Sequence, residues 1–246
     1  MKSFYFILIS LVFISCSNEK TILLPEIENA KITEVHDVSH AYLFYDETKV
    51  DKVELNRKNL ISTTNWLINV DKRLTLERAI PKIKLLQDKK RNAKMHKNEA
   101  AKNYYTCNDT SIKNLGFLEF TNVHYNFDKT NNISTDSIKP FNKKEFIKAI
   151  SEVKSSLMVT QGPDITQEII LYFEKNELVH NTLYSFDLGQ IETYLSTISK
   201  IRSTSIFKLI LKFNRALSFG DYIKIKSYLN SIESNRISIN NNEFIY

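Results

Sequence analysis

His36 and His40 stand four residues apart with Asp37 beside them, a spacing that on a helix would let two imidazoles share a metal ion. The flanking residues argue otherwise. Ile32-Thr33-Glu34-Val35 and Ala41 to Tyr45 read as strand, where residues four apart lie about 13 Å from one another. His96, His124 and His180 have no ligand-spaced companions, so no metal is expected. Asp71 is the best single acid for proton transfer, because it ends the apolar run Leu67 to Val70 just ahead of a helical pattern. The same position suits turn and helix-start electrostatics. A glycosidase-type carboxylate pair needs only proximity in space and is left open by sequence. Cys107 has no Cys-x-x-Cys or local His/Asn companion and reads as a structural thiol. With four glycines in 246 residues, no phosphate loop, dinucleotide fingerprint or Gly-x-Ser-x-Gly elbow is present. These residues point to no catalytic group and no cofactor.

The elements that would position them belong to a globular chain, 42% hydrophobic and 25% charged. The net charge of +6 is concentrated between Lys82 and Lys102, where eight Lys or Arg face only Asp88 and Glu99. No aromatic residue interleaves the core of this run, so a stacking platform for nucleic acid is not expected. It reads as a solvated helix end running into a flexible loop.

The first residues have the layout of an export leader. Lys2 gives a positive start, Phe4 to Ile14 an apolar stretch, and Phe13-Ile14-Ser15-Cys16 resembles a lipobox, departing from it at Phe13. Eleven helical residues reach about 16 Å, about half a bilayer core, so the segment is too short to span. The resemblance implies removal of residues 1–15, lipidation of Cys16 and a protein tethered on the periplasmic side of a membrane. With Cys16 lipidated, no disulfide to Cys107 is expected. The leader, the Asn/Lys/Ile usage and the Asp136-Ser137-Ile138 triplet are similar to those of Bacteroidota lipoproteins.

Internal similarity sets the fold class. Leu67 to Leu86 and Ile210 to Leu229 align at an offset of 143, matching Leu74 with Leu217, Ile80 with Ile223 and Leu86 with Leu229. Asp71 and Lys72 fall on Asn214 and Arg215, and Thr75 on Ser218, each a candidate N-cap. Upstream, Leu43-Phe44-Tyr45-Asp46 matches Leu171 to Glu174 at an offset of 128. The second copy gains a helix on Ile191, Tyr194, Leu195, Ile198 and Ile201, where the first has only residues 55–62. The expectation is an α+β protein of two tandem α/β units, each a β-hairpin, α, β, α, β with a mixed sheet. Residues 16–40 are a tether and first strand, 41–125 the first unit, 126–167 a loop and linker helix, and 168–246 the second unit. The linker helix starts at Asn142-x-x-Glu145, the strands ending the units are Phe117 to Tyr125 and Arg236 to Tyr246, and Lys89 to Leu115 is a flexible insertion.

Trp66 to Lys72 with its helix, and Leu209 to Arg215 followed by Leu217 to Leu229, resemble the periplasmic domain of the ExbD/TolR family of biopolymer-transport proteins. The resemblance implies a small mixed sheet that docks a periplasmic protein, by strand addition, near Asp71, Lys72, Asn214 and Arg215. The family's membrane helix and proton-coupling aspartate have no counterpart, since no acidic residue precedes Glu19. The functional expectation is a lipid-anchored, non-enzymatic envelope adaptor; the alternative is an envelope hydrolase or glycan-binding lipoprotein.

Overall fold

Alternating apolar residues set the strands. In Ile206–Phe213, Phe207, Leu209, Leu211 and Phe213 point inward and are at most 1% exposed, while Lys208 and Lys212 point away. The computed structural model describes residues 20–93, 98–128, 138–148, 166–174, 179–180, 184–201 and 205–246. Residues 1–15, Cys16 and the expected linker helix beyond residue 148 lie outside the described residues. The chain is an α+β protein on two mixed sheets. No helix among the described residues is long and apolar enough to cross a membrane.

The first sheet holds β1 (Glu26–Ile27), β2 (Val38–Tyr45), β3 (Val53–Asn56), β4 (Asn65–Val70), β5 (Asn103–Asp109) and β6 (Asn114–Glu119). β3 and β2 form an antiparallel hairpin, β4 lies parallel to β2 and β5 parallel to β4. β6 covers one side of β5, and β1 takes up the other side where β4 ends. Helix α1 (Leu76–Arg91) crosses from β4 to β5 and buries Leu76, Ala79, Ile80, Ile83 and Leu86 as one stripe.

The second sheet runs β7 (His124–Phe127), β13 (Ile237–Ile245), β12 (Ile206–Phe213), β9 (Thr166–Phe173), β10 (Val179–His180), β11 (Tyr184–Phe186) and β8 (Lys139–Pro140). Here β9 and β10 are the antiparallel hairpin, β12 is parallel to β9, helix α3 (Phe219–Ile232) crosses over, and β13 is parallel to β12. Helix α2 (Leu188–Ile201) precedes β12, at the place where the sequence gains a helix. Hairpin, parallel strand, helix, parallel strand thus occurs twice in the same spatial order.

Several details differ from the sequence reading. Leu43 pairs with Val70, and Phe173 with Phe213, so the hairpin strands correspond at an offset of 130. A slip of two keeps every side chain on its face, which is why 128 also looked right. The run 117–125 is not one strand: it breaks at Phe120–Val123, β6 pairing with β5 in one sheet and β7 with β13 in the other. The counterpart of β13 is β5, inside the supposed flexible insertion, whose residues Tyr105 and Cys107 are at most 1% exposed. The 55–62 segment carries the end of β3 and turns. The tether is also shorter than expected. Residues 20–32 pack on the body, with Lys72 N–H bonded to Leu23 O, Asn108 N–H to Pro25 O and Phe117 N–H to Ile32 O. Asn142 does start a helix over residues 143–148, its Oδ1 accepting from Lys144 N–H at 3.0 Å.

Candidate binding cleft and the seam between the sheets

The residues singled out in the repeat meet at one seam. Leu76 N–H donates to Leu217 O (2.9 Å) and Phe219 N–H to Leu74 O (2.7 Å). Glu77 N–H donates to Arg215 O (3.0 Å) and Gly220 N–H to Lys72 O (3.1 Å). The offset of 143 turns each bond of a pair into the other, and Thr75 bridges Ser218 on the axis. This is the reciprocity of a two-fold interface, here within one chain. It also solves a local problem, because the first N–H groups of a helix have no partner inside it. Each helix supplies those donors to the other unit's turn.

The seam fixes the backbones of Lys72 and Arg215, while the side chains of Asp71 and Asn214 serve their own turns. Asp71 is fully buried and accepts from Arg73 Nε (2.9 Å), Arg73 Nη2 (2.8 Å), Arg73 N–H (3.0 Å) and Leu23 N–H (3.2 Å). Burial pushes its carboxyl up, but the Arg73 guanidinium and the two backbone donors outweigh it and hold it below the usual range. Asn214 repeats the turn: its Oδ1 accepts from Ala216 N–H at 2.9 Å and its amide donates to Glu174 at 2.7 Å. Lys72 Nζ pairs with Glu26 at 2.6 Å. Asp71 is a structural acid here, held between the N-terminal segment and its own turn. Of the two candidate caps, Ser218 accepts from Asp221 N–H at 3.1 Å, whereas Thr75 makes no side-chain cap and its buried hydroxyl has no partner among the described residues.

Behind the seam one core joins the sheets. Tyr105 of β5 stacks on Phe120 at 3.8 Å and meets Phe219 edge-on. Its hydroxyl bonds that of Tyr125 (2.5 Å), Tyr125 bonds Tyr222 (3.2 Å), and Tyr222 donates to Glu243 (2.7 Å). Burial raises the pKa of all three phenols. Trp66 is 2% exposed and its Nε1–H donates to Ile61 O, so it is core and not a sugar platform. Burial, with Asp109 nearby, lifts the Cys107 thiol to about 12, which leaves it inert as a nucleophile at neutral pH.

The basic stretch is tied into the fold. Lys90 is 8% exposed, its ammonium reaching Thr64 O, Lys102 O and Asn103 Oδ1 at 3.0–3.1 Å, and burial lowers its pKa to about 8. Arg91 binds Thr121 O and Val123 O, and Lys102 pairs with Glu119. Residues 94–97 lie outside the described residues. His36 lies beyond the start of β2, and its one ion pair, with Glu34 at 3.5 Å, is exposed on both sides. No group of His, Cys, Asp and Glu suited to a metal occurs among the described residues.

The chain matches no family model, no curated protein and no solved structure.

One cleft escaped sequence reasoning. It is a cavity of about 620 Å³ between residues 26–32, the end of β6 and the face of α3 that carries Lys224, Ser227, Tyr228 and Ser231. Ile27, Ala30, Ile32 and Phe117 give it an apolar floor, Lys31 Nζ crosses to Asn230 O at 2.8 Å, and Glu28 stands at the rim. Asp109 holds this segment through Ala30 N–H (2.6 Å) and its own turn through Ser111 and Ile112, and its pKa is lowered to about 2 by the Ser111 hydroxyl and these backbone donors. One sequence signal was available. Gly116 lies inside a strand, and a Cβ there would sit 2.6 Å from Ala30 Cβ, so the glycine marks where residues 27–30 cross β6.

Proposed function

We propose that the protein is a lipid-anchored, non-enzymatic adaptor of the cell envelope, held to a membrane through Cys16 and facing the periplasm, in the manner of an ExbD/TolR-like accessory of envelope transport. The observation that carries this reading is the cleft: residues 26–32, paired with β5 at one end and β6 at the other, stand opposite one face of α3, with an apolar floor and polar rims. That geometry suits an extended segment of a partner protein, which would lie along the wall and fill the apolar floor. The reading is further supported by the acids Asp71 and Glu243, both taken up by internal donors.

The lipobox resemblance supplies the location. Lys20, whose ammonium engages Asp46 and Glu54 of the first hairpin, is the fourth residue after Cys16. Fully extended, four residues reach about 14 Å, so the hairpin β2–β3 would stand close to the bilayer surface. Two measurements test the proposal. Cys16→Ser should release the protein from membranes, and a photo-crosslinker at Tyr228 should capture an envelope protein that one at Leu85, on the outer face of α1, does not. Retention of residues 1–15 in the mature chain, or equal capture from both positions, would refute it.

A further inference from the structure

A second, smaller cavity lies on another side of α3, about 210 Å³ in volume, where the β6–β7 connection meets a bulge in β13. The bulge is Asn240–Asn242: Leu209 pairs with Ile239 but Leu211 with Glu243, so three residues of β13 oppose Ile210 alone. Bulges re-aim side chains. This one sets Glu243, fully buried on the inner face, opposite Leu211, where its Oε1 takes Lys226 Nζ at 2.5 Å and its Oε2 the Tyr222 hydroxyl.

The repeat shows that the fold does not require this ion pair. Lys226 corresponds to Ile83 at the offset of 143. Glu243, opposite Leu211, corresponds to Tyr105, opposite Ile68. Ile83 and Tyr105 are themselves at most 1% exposed. Apolar and aromatic residues therefore fill the same place in the first unit, and a buried ion pair is no better for stability than such packing. Lys226 is also incompletely bonded. Its side chain is 8% exposed and lines the cavity, and among the described residues Glu243 is its one acceptor, so two of its three ammonium donors have no protein acceptor there.

We propose that this cavity is a binding site for a small neutral polyhydroxylated molecule of monosaccharide size. Lys226 and the amides of Asn122, Asn230 and Asn241 supply donors, and the asparagine and carboxylate oxygens supply acceptors, the mixed set that vicinal hydroxyls need. An anion is disfavoured. Glu119 and Glu233 line the cavity with Lys226, which Glu243 already neutralises. The site adjoins the larger cleft, sharing Glu119 and Asn230 with it, and does not rest on the adaptor reading.

The test uses the full chain in a sugar-free detergent and ligand-observed saturation-transfer NMR with glucose, N-acetylglucosamine and glycerol, with inorganic phosphate and acetate as the anionic arm. Saturable binding of a monosaccharide is expected. Asn122→Ala with Asn241→Ala, both exposed positions, should weaken it about tenfold, the loss of about one hydrogen bond. Lys226→Met with Glu243→Gln removes both charges together and should abolish binding while the chain still melts cooperatively. If that variant fails to fold, the asparagine pair decides. Absence of saturable binding by any monosaccharide, unchanged affinity in the variants, or preference for phosphate would overturn the proposal.

Discussion

Replacing Asp71 by Asn tests whether this acid serves structure or chemistry. The side chain keeps Oδ1, so the bond from Arg73 N–H survives, as the equivalent bond does at Asn214. An NH₂ group then replaces Oδ2 and faces two donors, Leu23 N–H and Arg73 Nη2. One neutral bond is worth about 1 kcal/mol and one charge-assisted bond about 1.5–3 kcal/mol. Arg73 is 45% exposed and regains water, which selects the lower end, so the loss is about 2–3 kcal/mol. For a chain of this size that is a fall in Tm of about 5–10 °C. The pH dependence has a definite sign. The carboxyl titrates lower folded than unfolded, so its contribution is complete above the unfolded pKa of about 3.9 and fades as pH falls through the folded value. Thermal melts followed by circular dichroism at pH 7 and pH 3 should show a large gap between wild type and variant that narrows in acid. An unchanged Tm at pH 7 would refute the reasoning, and loss of a measurable turnover at unchanged stability would make Asp71 a working acid.

Other perturbations separate the remaining parts. Gly116→Ala forces a Cβ to within 2.6 Å of Ala30 and should destabilise by about 1–3 kcal/mol, with faster hydrogen exchange confined first to residues 20–32. Lys90 gives up its proton near pH 8 when folded but near its ordinary 10.5 when unfolded, so urea-derived stability should rise between those values; Lys90→Met should remove that rise. Ser218→Ala removes a cap and should cost about 1 kcal/mol, whereas Thr75→Val discards a buried, unpartnered hydroxyl and should leave stability equal or higher by chemical denaturation.

The sequence made the repeated elements legible because each carries its own periodicity. The alternation of Ile206–Phe213 and the stripe Leu76, Ile80, Ile83 need no tertiary information to be read. What escaped depends on pairings between distant residues. β5 reads as an insertion because Asn103–Asp109 follows a run of charges, yet it is central because β4, β6 and β1 all pair with it. Residues 20–32 read as a tether because the segment has no pattern of its own; partners at Asp71, Asn108 and Phe117, far along the chain, hold it. The cleft escaped for the same reason, being assembled from that segment and a helix nearly 200 residues later. Asp71 stands out by position in the sequence, but sequence could not show Arg73 folding back onto it.

The two halves agree where the fold is held and differ where cavities open. The agreeing parts, from the hairpins to the helix starts at Leu76 and Phe219, meet in reciprocal bonds that consume their free donors and leave little surface for a ligand. The differing parts are the N-terminal segment, the β6–β7 connection that carries the chain from one sheet to the other, and the Asn240–Asn242 bulge. The larger cavity lies between the first of these and α3, and the smaller between the other two and α3. The reciprocal bonds of the seam hold only while both halves keep the same pairing surface. The halves differ once more inside the core, where the first has Ile83 and Tyr105 and the second the Lys226–Glu243 ion pair, at a position where apolar packing serves stability as well.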